Sequence, residues 1–225
     1  MFDAFQRIRI INLPERRDRR REMLHELGRI GLDGDPRIAF VPAEKPCSSM
    51  PFRSNGEHGC FLSHLKIIRD AAEAGESVLI LEDDCDFTSE MRKPLAEADL
   101  LWGGFTIFPT FIVGGHCIGL SATTAKKMHS YLEPLLKHPS PPPIDGAYAW
   151  FCRDHPEVTV NACDTPIAVQ RPSFSNIAGR HGLDKLRLLH PLINLARRAK
   201  RKFNRLPKNE VSFDEFIEVL RSNER

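Results

Sequence analysis

Short runs of branched apolar residues alternate along the first third of the chain with longer stretches in which apolar residues return every third or fourth position. Arg7–Asn12 is apolar-enriched and predicts a strand. After Pro14, residues 15–30 predict a helix. Met23, Leu24, Leu27 and Ile30 share one face at helical spacing, and Gly31 stops it. Residues 38–41 predict a second short strand. Residues 42–57 read as loop, with three prolines, serines and Asn55-Gly56. Residues 59–74 predict another helix, with Phe61, Leu65, Ile68 and Ala72 as its buried stripe and Gly75 at its end. Residues 78–81, Val-Leu-Ile-Leu, predict a buried strand. Strand, helix, strand, helix, strand is the order of a parallel sheet with crossover helices.

The middle of the chain is less regular. Residues 88–98 predict a helix. Residues 105–113 predict a strand broken by Pro109, hence an edge or two pieces. Residues 117–120 predict a short strand, followed by Ser121 as an N-cap and a helix over 122–136. Residues 139–143 form a stiff proline-rich loop. Residues 145–151 predict one or two helical turns, and 158–161 and 167–169 predict late strands. No internal repeat is evident. Beyond Gly182 the composition shifts, dividing the chain into a domain over 1–182 and a basic amphipathic helical tail over 183–225. In the tail Leu192, Leu195, Ala196, Ala199, Phe203 and Leu206 make an apolar stripe opposite Arg197, Arg198, Lys200, Arg201, Lys202 and Arg205. Ser212 and Glu215 make a capping-box pattern for a last short helix.

Chemistry enters at the end of the third strand. Glu82, Asp83, Asp84 and Asp86 place four carboxylates within five residues. So much negative charge at the exit of a core strand is costly unless a cation or ligand hydroxyls offset it. The carboxyl ends of strands are also where open α/β sheets bind ligands. A helix N-terminus, which suits acids, would explain one or two of the four. At the first strand-to-helix junction, Arg16, Arg17, Arg19, Arg20 and Arg21 crowd a helix start. There the dipole prefers acids, so an anion such as a diphosphate is one reading for Arg16 and Arg19. The plainer one is a solvated face balanced by Glu15, Asp18 and Glu22. In Gly56–His64 glycines permit close backbone approach, and His64 lies one turn beyond Cys60; a lone His is commonly a hydrogen-bonded structural residue.

With 225 residues and a hydrophobic fraction of 41%, the chain can bury one sizeable core. A net charge of +2 argues for no polyanionic partner, and no nucleic-acid motif appears. Six cysteines at irregular spacing, without a Cys-x-x-Cys pair, argue against a zinc ribbon. They read as free thiols in a reduced, cytoplasmic protein, with Cys60, Cys117 and Cys152 in the core. No signal-peptide pattern is visible at the N-terminus and no apolar run reaches about 18 residues.

Asn-Leu-x-x-Arg-x-x-Arg at 12–19, Gly-Glu-x-Gly-Cys-x-x-Ser-His at 56–64 and Leu-Ile-Leu-Glu-Asp-Asp at 79–84 occur in order. Later come Gly115–Ser121 with Ala125-Lys126-Lys127, then Pro143-Ile144-Asp145 and Pro166–Gln170. Together they resemble glycosyltransferase family 25, the lipopolysaccharide-type and collagen-type galactosyltransferases, over roughly residues 7–180. The resemblance implies a GT-A-like nucleotide-sugar fold, a mixed mainly parallel sheet flanked by helices. It implies inverting transfer of a hexose, galactose foremost, from a UDP-sugar to a glycan or glycolipid acceptor, with Mn²⁺ (or Mg²⁺). It implies that Glu82 and Asp84 take the metal and ribose roles with Asp83 beside them. Asn12, Arg16, Arg19, Glu57, Ser63 and His64 would line the donor pocket. Asp145 would be the base that takes the acceptor proton, unless it is an ordinary helix cap. Ile118 and His116 depart from the family pattern, as does the short stretch between Asp86 and Gly114, so acceptor and donor sugar stay open.

Two other functions compete with this one. A metal-dependent phosphatase would use the acidic cluster with a lysine, for which Lys126 and Lys127 are the candidates. A degenerate, non-catalytic scaffold would bind a partner or membrane. Residues 192–206 either lie on an anionic membrane surface, which makes the protein peripheral on the inner face, or dock on the domain.

Overall fold

The computed structural model describes residues 2–92, 97–108, 111–163, 165–171 and 211–222. The basic stripe over 192–206 lies outside them. Three parallel strands, β1 (Arg7–Asn12), β2 (Ile38–Pro42) and β3 (Val78–Glu82), are joined by α1 (Arg17–Arg29) and α2 (Asn55–Ala74). They form one half of a six-stranded sheet of order β2-β1-β3-β8-β5-β9. β8 (Cys117–Leu120) runs antiparallel to both of its neighbours, β3 and β5 (Leu100–Trp102), and β5 pairs in parallel with β9 (Val160–Ala162). The sheet is therefore mixed and mainly parallel, as expected.

Both faces of the sheet are covered, which explains the unbroken apolar run of β3. Val78 and Ile80 face a layer built from Phe61, Leu65 and Ile68 of α2 and from α3 (Ala122–Leu135) and α4 (Ile144–Asp154). Leu79 and Leu81 face the other side, against Met23 and Leu27 of α1 with Phe2 and Phe5. Burying one such side chain contributes about 1.5–3 kcal/mol, so a strand apolar at every position is used twice over. On that second side β4 (Cys85–Phe87) pairs antiparallel with β10 (Ala168–Gln170).

Several boundaries differ from expectation. α1 starts at Arg17, and Leu24 is 44% exposed, because the helix buries only Met23, Glu26 and Leu27 against the sheet. α2 starts four residues before Gly59: Ser54 accepts the Glu57 amide at 3.1 Å, so Asn55-Gly56 open the helix and do not belong to the loop. Ala71, not Ala72, completes its buried stripe. The helix expected over 88–98 is replaced, among the described residues, by a single 3-10 turn at Ser89–Arg92 that follows the end of β4. Residues 105–113 hold two strands, β6 (Thr106–Phe108) and β7 (Phe111–Val113), paired as a hairpin. α4 runs three turns instead of one or two. β5 went unread: three residues are too short to show a period.

The final helix, α5 (Phe213–Ser222), has the anticipated capping box, with Ser212 N donating to Glu215 Oε2 at 2.8 Å and Glu215 N to Ser212 Oγ at 3.3 Å. It packs on α4, and Phe213 meets Trp102 and Phe105 at ring distances of 5.5 and 5.7 Å. Phe213→Ala should lower the free energy of unfolding by about 3–5 kcal/mol and Ser212→Ala by about 1 kcal/mol. Urea titrations check both; midpoints equal to wild type would mean that α5 does not dock on the domain.

Candidate functional site

β3 ends in Glu82, and the chain turns through Asp83-Asp84 into β4, so no helix follows to absorb the four acids. Each finds a separate solution. Asp83 is buried and accepts from Asn12 Nδ2 at 2.7 Å and from Arg19 at 2.8 Å. Asp86 pairs with the buried Arg171 guanidinium at 2.6 Å, and Arg171 also reaches Glu22 at 2.6 Å. Asp84 is buried, with one oxygen 3.1 Å from Arg19 and the other, Oδ1, without a hydrogen-bond partner. Glu82 lies 3.6 Å from His64 Nε2 and 3.8 Å from Cys60 Sγ, and accepts from Gln170 Nε2 at 3.4 Å. Burial opposes the Glu82 charge, but His64, His116 and Arg19 outweigh it and hold the carboxyl below its usual range. Burial first, then the Glu82 charge, pushes Asp84 up to about 7 against the pull of Arg19.

A cavity of 390 Å³ opens here, its lining including Arg19, Cys60, Ser63, Glu82, Asp83, Asp84 and Gln170. Its far wall is the Ala43–Pro46 segment, seated on α2 by close approach. A Cβ on Gly59 would stand 2.5 Å from the Glu44 carbonyl oxygen. One turn on, Ser63 Oγ accepts the Glu44 amide at 2.8 Å and donates to the Gly59 carbonyl at 2.6 Å. Glycine and serine at i and i+4 are thus needed to bring a loop against a helix. Lys45 closes the wall through an ion pair to Glu15.

The remaining site candidates fall around this cavity in different ways. Asn12 sits behind it as the partner of Asp83. Arg16 pairs with Asp18 at 2.9 and 3.0 Å, as a balanced helix face would, although Asp83 and Asp84 also lie within reach of its field. Arg19 turns inward to the acids, while Arg20 lies over the Phe40 ring at 4.0 Å. Glu57 occupies the first turn of α2 beside its cap. His64 is fully buried, and its Nδ1 is 2.8 Å from the Tyr148 hydroxyl. Asp145 stands in the first turn of α4, accepting the Gly114 amide at 3.3 Å and the Gly146 amide at 3.0 Å. Burial raises its carboxyl above the ordinary range although both amides lower it, and the Glu82 charge adds to the rise. Gly114 is held from the other side by Trp102 Nε1, which donates to its carbonyl at 2.6 Å.

Cys117 and Cys152 are core thiols, but Cys60 is only partly buried and faces the cavity. Burial and the Glu82 charge raise that thiol well above its ordinary value. Cys60 and Gln170 line the cavity and are absent from the expected site. Their signals were the one-turn spacing to His64 and the glutamine that ends the late strand. The residues fit a divalent cation: the unpartnered Asp84 Oδ1 and the Glu82 carboxylate present oxygen donors on one cavity. Lys127 pairs with Glu157 at 2.8 Å, Lys126 is exposed, and neither lines the cavity, so a phosphatase site with those lysines does not assemble there. No helix among the described residues is long and apolar enough to cross a membrane.

Residues 5–103 match the family model described as glycosyltransferase family 25 (LPS biosynthesis protein). That stretch, 99 of the 225 residues, is similar to family 25. The match spans β1 through β5 and so includes Asn12, Arg19, the α2 glycine–serine seat and all four acids. Procollagen galactosyltransferase 2 of Homo sapiens is 33% identical over 111 residues, covering 41% of this chain and 18% of its own length. The Mus musculus protein of the same name is 32% identical over 111 residues, with the same coverage. The chain thus spans less than a fifth of the length of these relatives.

Because Asp84 is raised when folded, the native chain binds more protons than the unfolded one between roughly pH 4 and pH 7. That contribution to stability is full at low pH and lost as pH rises through 7. With chelator present, Asp84→Asn should match wild type near pH 4 and exceed it in stability at pH 8. Thermal unfolding at the two pH values checks this; an equal change at both would contradict it.

Proposed function

We propose that this chain transfers a hexose, galactose foremost, from a UDP-sugar to a hydroxyl of a glycan or glycolipid acceptor of the lipopolysaccharide type, with inversion. The observation that carries this reading is the shared cavity of Glu82, Asp84 and Arg19 at the end of the central strand, inside the stretch that matches family 25. The relatives' printed name supports galactose as the sugar. Mn²⁺ (or Mg²⁺) would be held by Asp84 Oδ1 and Glu82. When bound, it supplies positive charge that offsets the departing diphosphate. Arg19 adds a fixed guanidinium on the same side, already oriented by Asp83, so its orientation costs little as charge develops.

Asp145 is proposed as the base. Its raised carboxyl is better matched to accepting a proton near neutral pH than an ordinary aspartate is. The two amides that hold it fix its direction. A glycolipid acceptor would bring the enzyme to an anionic membrane surface, with residues 192–206 as the contact.

Thermal stabilisation by a panel of UDP-sugars, each with Mn²⁺, tests the donor: only a ligand that binds the native state raises its stability. UDP-galactose should give the largest shift, and Asp84→Ala should abolish it. No shift with any UDP-sugar would remove the transferase reading. A shift without turnover on any glycan acceptor would favour a non-catalytic scaffold. Asp145→Asn should cut kcat by about 10²–10⁴ while donor stabilisation stays at the wild-type level. Unchanged kcat would assign Asp145 to capping α4 alone.

A further inference from the structure

We propose that Cys60, His64 and Glu82 form a binding site for a borderline-soft divalent cation of the zinc(II) class. The site shares Glu82 with the oxygen pair above but stands on sulfur and nitrogen donors, and it does not rest on the transferase reading. Cys60 and His64 are one turn apart on α2, so both point to the end of β3. One donor atom from each of the three residues lies within 4.8 Å of the others. Ligands bonded at 2.0–2.3 Å to a tetrahedral ion stand about 3.3–3.8 Å from one another. The Glu82 oxygen is already 3.6 Å from His64 Nε2 and 3.8 Å from Cys60 Sγ, so small side-chain shifts complete the set.

Three further features point to an ion. His64 is fully buried, yet its Nε2 has no hydrogen-bond partner and faces Glu82. A buried polar atom left in this way is costly unless something binds it. The other ring nitrogen is 2.8 Å from the Tyr148 hydroxyl. The tautomer that donates from Nδ1 to that oxygen leaves the Nε2 lone pair aimed into the cluster, as the outer partners of metal-bound histidines do. Cys60 and Glu82 also line the cavity, which supplies an entry path and room for a water as fourth ligand. A thiolate, imidazole and carboxylate set suits zinc better than manganese or magnesium, which favour oxygen alone. On binding, the Cys60 thiol gives its proton to solvent as the sulfur–metal bond forms, with no change of oxidation state.

The test uses the full chain, reduced and stripped with chelator, titrated with Co²⁺ and then Zn²⁺. Wild type should develop a thiolate-to-cobalt charge-transfer band that stoichiometric Zn²⁺ abolishes. Cys60→Ser should lose the band and bind Zn²⁺ at least about tenfold more weakly, and His64→Gln should weaken it similarly. Cys163→Ser, which alters another partly buried thiol, should keep the band. Absence of a band in wild type, or its persistence in Cys60→Ser, would overturn the proposal. If circular dichroism shows His64→Gln unfolded, Cys60→Ser decides alone. UDP-galactose stabilisation with Mn²⁺ is measured in parallel. Its loss with the cobalt band intact would count against the transferase reading and leave this site standing.

Discussion

The constraint on which this molecule turns is the burial of several carboxylates at the end of a strand covered on both faces. Val78–Leu81 must be apolar throughout because α2, α3 and α4 lie on one side and α1 on the other. The acids that follow therefore emerge where water is scarce, and an ionised carboxylate there costs several kcal/mol unless it is paired. The fold answers with separate partners from distant parts of the chain: Asn12 and Arg19 for Asp83, and Arg171 for Asp86. Asp84 is left partly uncompensated, and it and Glu82 turn to a cavity. A site for cations and anions follows from that imbalance.

The same economy governs the walls of the cavity. Four positions of α2 at one-turn spacing serve two tasks. Gly59 and Ser63 seat the Ala43–Pro46 segment, while Cys60 and His64 approach Glu82. The turn at Gly114–His116 ties the second half of the chain to this centre. Glu82 N donates to the His116 carbonyl at 3.1 Å, and Gly114 joins Trp102 to Asp145.

How far the arrangement could be read in advance varied with the range of the contacts. The strands β1, β2, β3 and β8 and the cap of α3 were legible because their signals are local: branched apolar runs, and a serine before a helical stripe. The Ser54–Glu57 cap of α2 carried the same kind of signal but sat inside a stretch read as loop because of Asn55-Gly56. β5 and the turn into β4 were not legible. Three-residue strands exist only through pairing, Leu100–Trp102 with β8 and β9, and Cys85–Phe87 with β10.

Within the site, charge crowded after a core strand marked Glu82, Asp83 and Asp84 as candidates, since it demands partners wherever it folds; Arg19 stood out in an arginine-rich helix start, and Asn12 came from the family resemblance alone. Assigning each acid its partner was beyond any one-dimensional reading. Arg16 and Arg19 look alike in sequence, yet Arg19 bonds Asp83 and Asp84 from within α1, whereas Arg16, just before the helix, pairs with Asp18. Cys60 looked like a core thiol and became part of the cavity wall for the same reason. Local pattern thus marked most of the longer elements and the candidate chemistry they carry. Long-range packing alone settled which charges are neutralised, which stay free to bind, and which side chains converge on one point.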